Sequence, residues 1–227
     1  MTEQKKPAAG IFTGAIVLVG CYVAAQLVSD IGSLKIASVF GWAIDGGTFI
    51  YPITFTLRDL IHKRLGKKAA RATIFLAAGI NLAMAAYFWL VSALPADASW
   101  NAWEGAGVGM NDAFARILSP AWTIVLASIA AEIVSELIDT EVYHLWTAKV
   151  TSRFQWTRVL VSNAASVPVD SLVFCWLAFG LGFGMPAAAV WEIFWLNVLV
   201  KTAVTLASLP AIYLARDGSL DPGRPAA

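Results

Sequence analysis

Apolar residues in this chain gather into six long runs, at 11–29, 47–62, 72–94, 119–145, 157–184 and 187–215. Roughly 20 apolar residues wound as an α-helix match the about 30 Å hydrocarbon core of a bilayer. The pattern predicts an all-α integral membrane protein, a bundle of six membrane-spanning helices. The first run follows Lys5-Lys6 as in a signal peptide, but it is longer than an ordinary signal core and five more follow, so it reads as a retained helix. Pro52, Pro168 and Pro210 fall inside runs, where neighbouring helices can satisfy the freed carbonyls. Pro120 falls at a first helical turn, where proline is welcome.

Two segments between the runs carry their own signals. Within 30–46, the stretch from Leu34 to Phe40 partly alternates and leads into glycines, which predicts a short hairpin capping the outer face after the first helix. Segment 95–118 holds Gly105, Gly107 and Gly109 with Trp100 and Trp103, the composition of a mobile loop at the membrane interface. Gly184-Met185-Pro186 reads as a tight turn. No long inverted repeat of the secondary-transporter type is visible.

Composition agrees with the pattern. Hydrophobic residues make up 59% of the 227-residue chain and charged residues 14%, against about 25% charged in a soluble domain. Residues 1–227 therefore read as a single transmembrane domain. The net charge of +1 gives no reason to expect a nucleic-acid partner. Cys21 and Cys175 lie within apolar runs, as inert small hydrophobes do, and predict neither a redox nor a metal role. No cofactor is expected. Lys and Arg bias sets the orientation. Twelve of them, including Lys5, Lys6, Lys63, Lys149, Arg153, Arg216 and Arg224, fall on one side, and only Lys35 and Arg116 on the other. Both termini are expected in the cytoplasm, in a cytoplasmic (inner) membrane.

Charge inside the runs carries the functional signal. Glu132, Glu136, Asp139, Asp170 and Lys201 all lie within them, where each charge costs roughly 2.5–3.5 kcal/mol on an insertion scale. Spacing gathers them into stripes. Glu132, Glu136, Asp139 and Tyr143 share one face of the fourth run; Asn163, Ser166, Asp170 and Phe174 share one of the fifth. Asn197, Lys201 and Ser208 share a face of the sixth, Tyr51, Phe55, Asp59 and His62 more loosely of the second, and Tyr22, Gln26 and Ser29 of the first. Polar stripes face the bundle interior. Glu132, Asp170 and Lys201 fall near mid-depth; Asp59, Asp139 and Asn163 fall nearer the cytoplasm. A cavity of acids, amides and aromatics suits a planar hydrogen-bonding solute.

Plainer readings stand beside this one. Lys201–Asp170 equally suits a structural ion pair, Glu132 a tie to another helix, and Glu136 with Asp139 a solvated cytoplasmic vestibule. Asp59 beside Arg58 suits a local charged cap, and Tyr51, Phe55 and Phe174 suit helix packing. Lys63-Arg64-Leu65-Gly66-Lys67-Lys68 reads as a topology anchor. Four acids facing one lysine would leave a large uncompensated negative charge, so one or more is expected to stay protonated through desolvation, which permits proton coupling.

Four segments carry a resemblance: Gly46-Gly47-Thr48-Phe49-Ile50-Tyr51-Pro52 running on to Arg58-Asp59-Leu60, the basic inner loop Gly66–Arg71, Ser135-Glu136-Leu137-Ile138-Asp139 with Val142-Tyr143, and Ser162-Asn163 leading to Val169-Asp170-Ser171, with Lys201 in the last run. In this order and spacing the chain resembles the queuosine-precursor transporter branch of the vitamin uptake transporter family, over about residues 12–214. The resemblance implies a six-helix bundle similar to the substrate-binding subunits of energy-coupling-factor transporters. It implies import of a 7-deazaguanine such as preQ0 or preQ1. Asp170 or Glu132 would bind an N–H pair, and Asn163 or Asn197 would read a carbonyl. Val167 and Glu136 depart from the family's pattern, which bears on the exact ligand. The candidate substrate-binding residues are Tyr51, Phe55, Asp59, Glu132, Glu136, Asp139, Asn163, Asp170, Asn197 and Lys201.

The alternative to a solitary transporter is a substrate-binding subunit for another vitamin or nucleobase that depends on a separate energising complex. Partners beyond the solute and the lipid bilayer would be that complex or further copies of the chain. An enzyme is not expected. His62 and His144 sit at cytoplasmic ends, no Gly-x-Ser-x-Gly elbow occurs, and only an Asp139–Asp170 pair would leave room for aspartyl-type chemistry. A purely structural or sensory protein is disfavoured by the intramembrane acids.

Overall fold

The computed structural model describes residues 8–101, 109–149 and 155–214. Helix α1 (Ala8–Gly32) leads into strands β1 (Ile36–Val39) and β2 (Trp42–Asp45), a 3-10 turn over Gly46–Phe49, and α2 (Tyr51–Leu65). Then come α3 (Lys67–Ala93), the short α4 (Ala98–Asn101), α5 (Met110–Leu118), α6 (Ala121–Lys149), α7 (Gln155–Cys175) continued by a π-helical stretch over Trp176–Gly182, and α8 (Ala187–Leu214).

Among the described residues, five helical segments are long and apolar enough to cross a membrane: 13–32, 68–93, 110–139, 160–182 and 187–207. The expected run at 47–62 is not among them. Its helix has 15 residues, about 22 Å at 1.5 Å per residue, and Arg58, Asp59, His62, Lys63 and Arg64 crowd its second half. Pro52 falls in the first turn of α2 rather than mid-helix, where its missing N–H leaves no carbonyl unpaired. The side chains are distributed as bilayer burial requires. Phe75 is 76% exposed and Leu181 78%, whereas Asp30, Asp45, Asp170 and Lys201 are each 3% exposed or less. Apolar residues outside and charges inside suit lipid, not water, as the surrounding solvent.

The expected hairpin forms. β1 and β2 pair antiparallel from Ile36↔Asp45 to Val39↔Trp42, and Phe40 and Gly41 turn between them with φ of 53° and 85°. Two successive positive φ values are those of the tight turn that matches strand twist. Its second strand is fastened to α8 where the backbone N–H of Ala43 donates to Glu192 Oε1 at 2.6 Å. The 3-10 turn after it lies hard against the end of α1. Ser29 donates to the Gly47 carbonyl at 3.2 Å, and a Cβ on Gly47 would come within 2.6 Å of the Ser29 carbonyl oxygen.

Other segments depart from expectation. The basic stretch at 66–71 is not a loop: Gly66 alone, at φ 87°, separates α2 from α3, and Lys67 to Arg71 form the first turn of α3. Segment 95–118 is partly helical, with the Trp100 ring 6.2 Å from that of Phe114 on α5; Trp103, Gly105 and Gly107 lie outside the described residues. So do Lys5, Lys6, Arg153, Arg216 and Arg224 of the charge bias.

Two apolar clusters hold the helices together. Ile124, Phe174, Phe179, Val190, Ile193 and Phe194 join α6, α7, its π-helical extension and α8. Tyr22, Ile61, Ala70, Ile74 and Ala77 join α1, α2 and α3. Each is fed by the helical repeat, since positions three and four apart share a face.

Candidate functional site

Polar residues from α1, the hairpin, α2, α6, α7 and α8 meet at the hairpin end of the bundle. Lys201 Nζ lies 2.7 Å from Asp170 Oδ2, with both side chains at most 2% exposed. The pair links α8 to α7. Asp170 Oδ1 also takes the hydroxyl of Ser135 on α6 at 3.2 Å and approaches that of Tyr51 on α2 at 3.5 Å. The Lys201 ammonium stands 4.6 Å from the centre of the Tyr51 ring and 5.9 Å from that of Phe174, so two aromatic faces and a carboxylate share its charge. Such a pair is held by its hydrogen bonds as much as by Coulomb attraction, because desolvating both ions costs several kcal/mol each.

Above the pair, Ser29, Asp30, Ser33, Asp45, Tyr51, Ser128, Phe174, Asn197 and Lys201 line a cavity of about 230 Å³, its open mouth included. Asp45 caps the 3-10 turn: Oδ1 accepts from the Gly47 N–H at 2.9 Å and Oδ2 from the Thr48 hydroxyl at 3.0 Å. That hydroxyl bridges Asp45 to Asn197, and Asn197 Nδ2 donates to Cys175 Sγ at 3.3 Å. Burial raises the Asp45 carboxyl above its ordinary range, against hydrogen bonds from Ser33, Gly47 and Thr48 and the attraction of Lys201. Asp30 accepts from Asn81 of α3 at 2.7 Å and from Ser128 of α6 at 3.1 Å.

A second polar centre lies further toward Gly66. Tyr22 donates to Glu132 at 2.6 Å and receives Gln26 Nε2 at 3.1 Å. Arg58 Nη1 stands 3.6 Å from Glu136 and its guanidinium 5.4 Å from the centre of the Phe55 ring. Asp59 and Asp139 contribute to the negative field around Arg58, and Asp139 Oδ1 is buried without a hydrogen-bond partner.

The ten candidate residues therefore divide. Tyr51, Asn197 and Lys201 line the cavity, and Asp170 stands directly behind Lys201. Glu132 is taken up by Tyr22. Asp59, Glu136 and Asp139 gather around Arg58, and Phe55 packs edge-on to Tyr51 at 5.3 Å. Asn163 is half-buried on α7, seven residues before Asp170, and belongs to neither centre. The side chains of Tyr143 and Ser208, from the expected stripes, lie outside the described residues. Sequence reasoning missed Asp30, Asp45, Ser33, Thr48, Asn81 and Ser128. The one signal for Asp30 was its place four residues after Gln26 on the first run's polar face, and for Asp45 its place before Gly46-Gly47-Thr48, where an aspartate caps a turn.

Membrane-length helices that turn apolar faces outward and close over a polar cavity define a multi-pass membrane protein built to handle a small polar solute. The family described as "Putative vitamin uptake transporter" matches residues 45–215, and the chain belongs to it: it is a membrane transporter of that family. A relative from Bacillus subtilis (strain 168), named "Probable queuosine precursor transporter", is 28% identical over 195 residues, covering 85% of this chain and 80% of the relative. No solved structure matches the chain.

Proposed function

We propose that this transporter imports a 7-deazaguanine precursor of queuosine, the cyano or the aminomethyl form, through the cavity above Asp170 and Lys201. The observation that carries the reading is the enclosed Asp170–Lys201 pair beneath Asp45, Asn197, Tyr51 and Phe174. A deazaguanine presents adjacent N–H and amine donors and a carbonyl on one edge. Asp45 can take the donor edge, Asn197 and the Lys201 ammonium the carbonyl, and Tyr51 or Phe174 the ring face. The name of the Bacillus relative supports the same cargo. On this reading Glu132, Glu136, Asp139 and Asp59 line the cytoplasmic route out, and Asn163 and Phe55 brace it.

The Gly46–Phe49 turn and α2 together supply the sixth membrane segment, 20 residues from Gly46 to Leu65. The whole chain then forms one transmembrane domain, similar in plan to energy-coupling-factor substrate-binding subunits. It lies in the cytoplasmic membrane with the Gly66 end and both termini facing the cytoplasm. It acts as a carrier and performs no chemistry on its cargo.

The test is uptake by the lone chain reconstituted in liposomes, with each radiolabelled deazaguanine and with guanine, queuine and biotin as competitors. Saturable uptake inhibited by deazaguanines and not by biotin is the expected result. Uptake of biotin alone overturns the cargo. Binding of a deazaguanine without uptake overturns solitary transport in favour of a subunit that needs an energising complex.

A further inference from the structure

We propose that Gln26, Asp30, Asn81 and Ser128 form a binding site for a monovalent hard cation, sodium, in the wall of the central cavity. Asp30 is 3% exposed. Its carboxylate oxygens are each held by a neutral donor, Asn81 Nδ2 at 2.7 Å and Ser128 Oγ at 3.1 Å. No ion pair reaches it among the described residues, and the cavity's own cation, Lys201, is engaged by Asp170 at 2.7 Å. A charge so placed needs a counter-charge, because neutral hydrogen bonds alone do not offset its desolvation.

A second observation points to what supplies that charge. Two amide oxygens, Asn81 Oδ1 in the residue that bonds this carboxylate and Gln26 Oε1 one helical turn from it, are buried with no hydrogen-bond partner, in residues only 4% and 3% exposed. Asn81 meets Asp30 directly through the other end of the same amide. Gln26 lies one turn before Asp30 on the same face of α1, and its Nε2 is committed to Tyr22, which leaves Oε1 as its unused group. Unpartnered acceptors around an unpaired carboxylate ask for a cation, not another acceptor.

The donor set selects its class. A carboxylate, two amide carbonyls and a hydroxyl are all hard oxygen ligands, and no sulfur or imidazole joins them. One carboxylate balances a single positive charge, whereas calcium sites draw on several. A proton on Asp30 would answer at most one of the two orphan oxygens. A sodium ion answers both and the carboxylate together. Because Asp30 and Ser128 belong to the cavity wall, an ion held there changes the charge a cargo meets. Ion and cargo affinities are then reciprocally linked.

The site is tested without cargo, so failure of the deazaguanine reading leaves this test intact. Purified chain is assayed for saturable 22Na⁺ binding, and its thermal unfolding is compared in sodium, potassium and choline chloride at fixed ionic strength and pH. We expect saturable binding and a sodium-specific rise in Tm of about 2–4 °C, both lost in Asp30→Asn, which keeps the side chain's shape. Should Asp30→Asn not fold, Gln26→Leu and Asn81→Leu decide. At least tenfold weaker 22Na⁺ binding in either supports the site, and unchanged binding in both overturns it. Absence of saturable binding in the wild-type chain, or stability that follows pH and ignores sodium, also overturns it.

Discussion

Lys201 of α8 and Asp170 of α7 are 31 residues apart in sequence and 2.7 Å apart in space, closing the floor of the cavity between two membrane helices. Removing one partner leaves the other charged, buried and unpaired, which costs about 3–5 kcal/mol. Lys201→Met and Asp170→Leu should each lower thermal stability by that order and abolish uptake. The double variant Lys201→Met/Asp170→Leu should regain much of the stability without regaining uptake. Thermal unfolding and liposome uptake, run in parallel on all three, separate the pair's two roles; uptake in the double variant would show that the pair only holds the helices.

Asp45 sits outside the membrane helices, and burial raises its carboxyl above the ordinary range. In the window between its unfolded and folded pKa values the folded state then holds more protons than the unfolded one, so Asp45's contribution to stability falls as pH rises through that window. Asp45→Asn removes this slope and keeps an acceptor for the Gly47 N–H. The variant and the wild type should unfold at similar temperatures below the ordinary carboxylate range, and the variant should gain on the wild type as pH rises. A Tm–pH series on both proteins checks it; parallel curves would refute it.

Arg58 and Glu136 are unequal partners. Arg58 is 12% exposed and Glu136 38% at 3.6 Å separation, so the contact itself is worth about 0–1 kcal/mol. Glu136→Gln should therefore change stability little. Arg58→Ala removes the cation that Asp59, Glu136 and Asp139 share along with its contact on the Phe55 ring, and should be clearly more destabilising. Equal effects of the two substitutions on Tm would contradict this division.

Gly47 admits no side chain, since a Cβ would meet Ser33 Oγ and the Ser29 carbonyl oxygen. Gly47→Ala forces the 3-10 turn off α1, at about 1–3 kcal/mol for an overpacked site, and displaces Asp45 and Thr48 with it. Lower yield of folded protein, with weaker cargo affinity in what folds, is the expected outcome. Gly79, whose added Cβ would meet nothing within 4 Å, is the control, and Gly79→Ala should be silent.

The placement of the Asp170–Lys201 pair was legible because an apolar run cannot carry a lone charge, and the two charges lay at comparable depth. The five membrane-length helices and the hairpin were legible for similar reasons, from run length and from alternation ending at glycine. Asp30 and Asp45 were not. Each stands where a run meets a loop, a position where a carboxylate is ordinarily solvated. Asp30 is enclosed by Asn81 of α3 and Ser128 of α6 and Asp45 by the turn it caps and the hairpin's tie to α8, and no local pattern encodes those contacts. The second segment was less legible. The run at 47–62 reads as a spanning helix, while the helix that forms there, α2, has 15 residues and carries Arg58, Asp59, His62, Lys63 and Arg64 in its second half. Glu136 and Asp139 shared a stripe with Glu132 as spacing required, and all three fall in the second polar centre, Glu132 bonded by Tyr22 and the other two around Arg58.

The π-helical stretch after α7 fixes how the cavity and the apolar core share one helix. Phe174 and Phe179, five residues apart, would diverge by about 140° around a regular α-helix. Here their rings stand 5.5 Å apart in an edge contact, because the wider turn carries one surplus residue. Shortening Trp176–Gly182 by one position would restore ordinary pitch and force a choice: Phe179 could remain in its aromatic nest only if Asp170 rotated away from Lys201. The inserted residue is thus what lets one continuous rod serve a greasy interface and an ionic one on the same side.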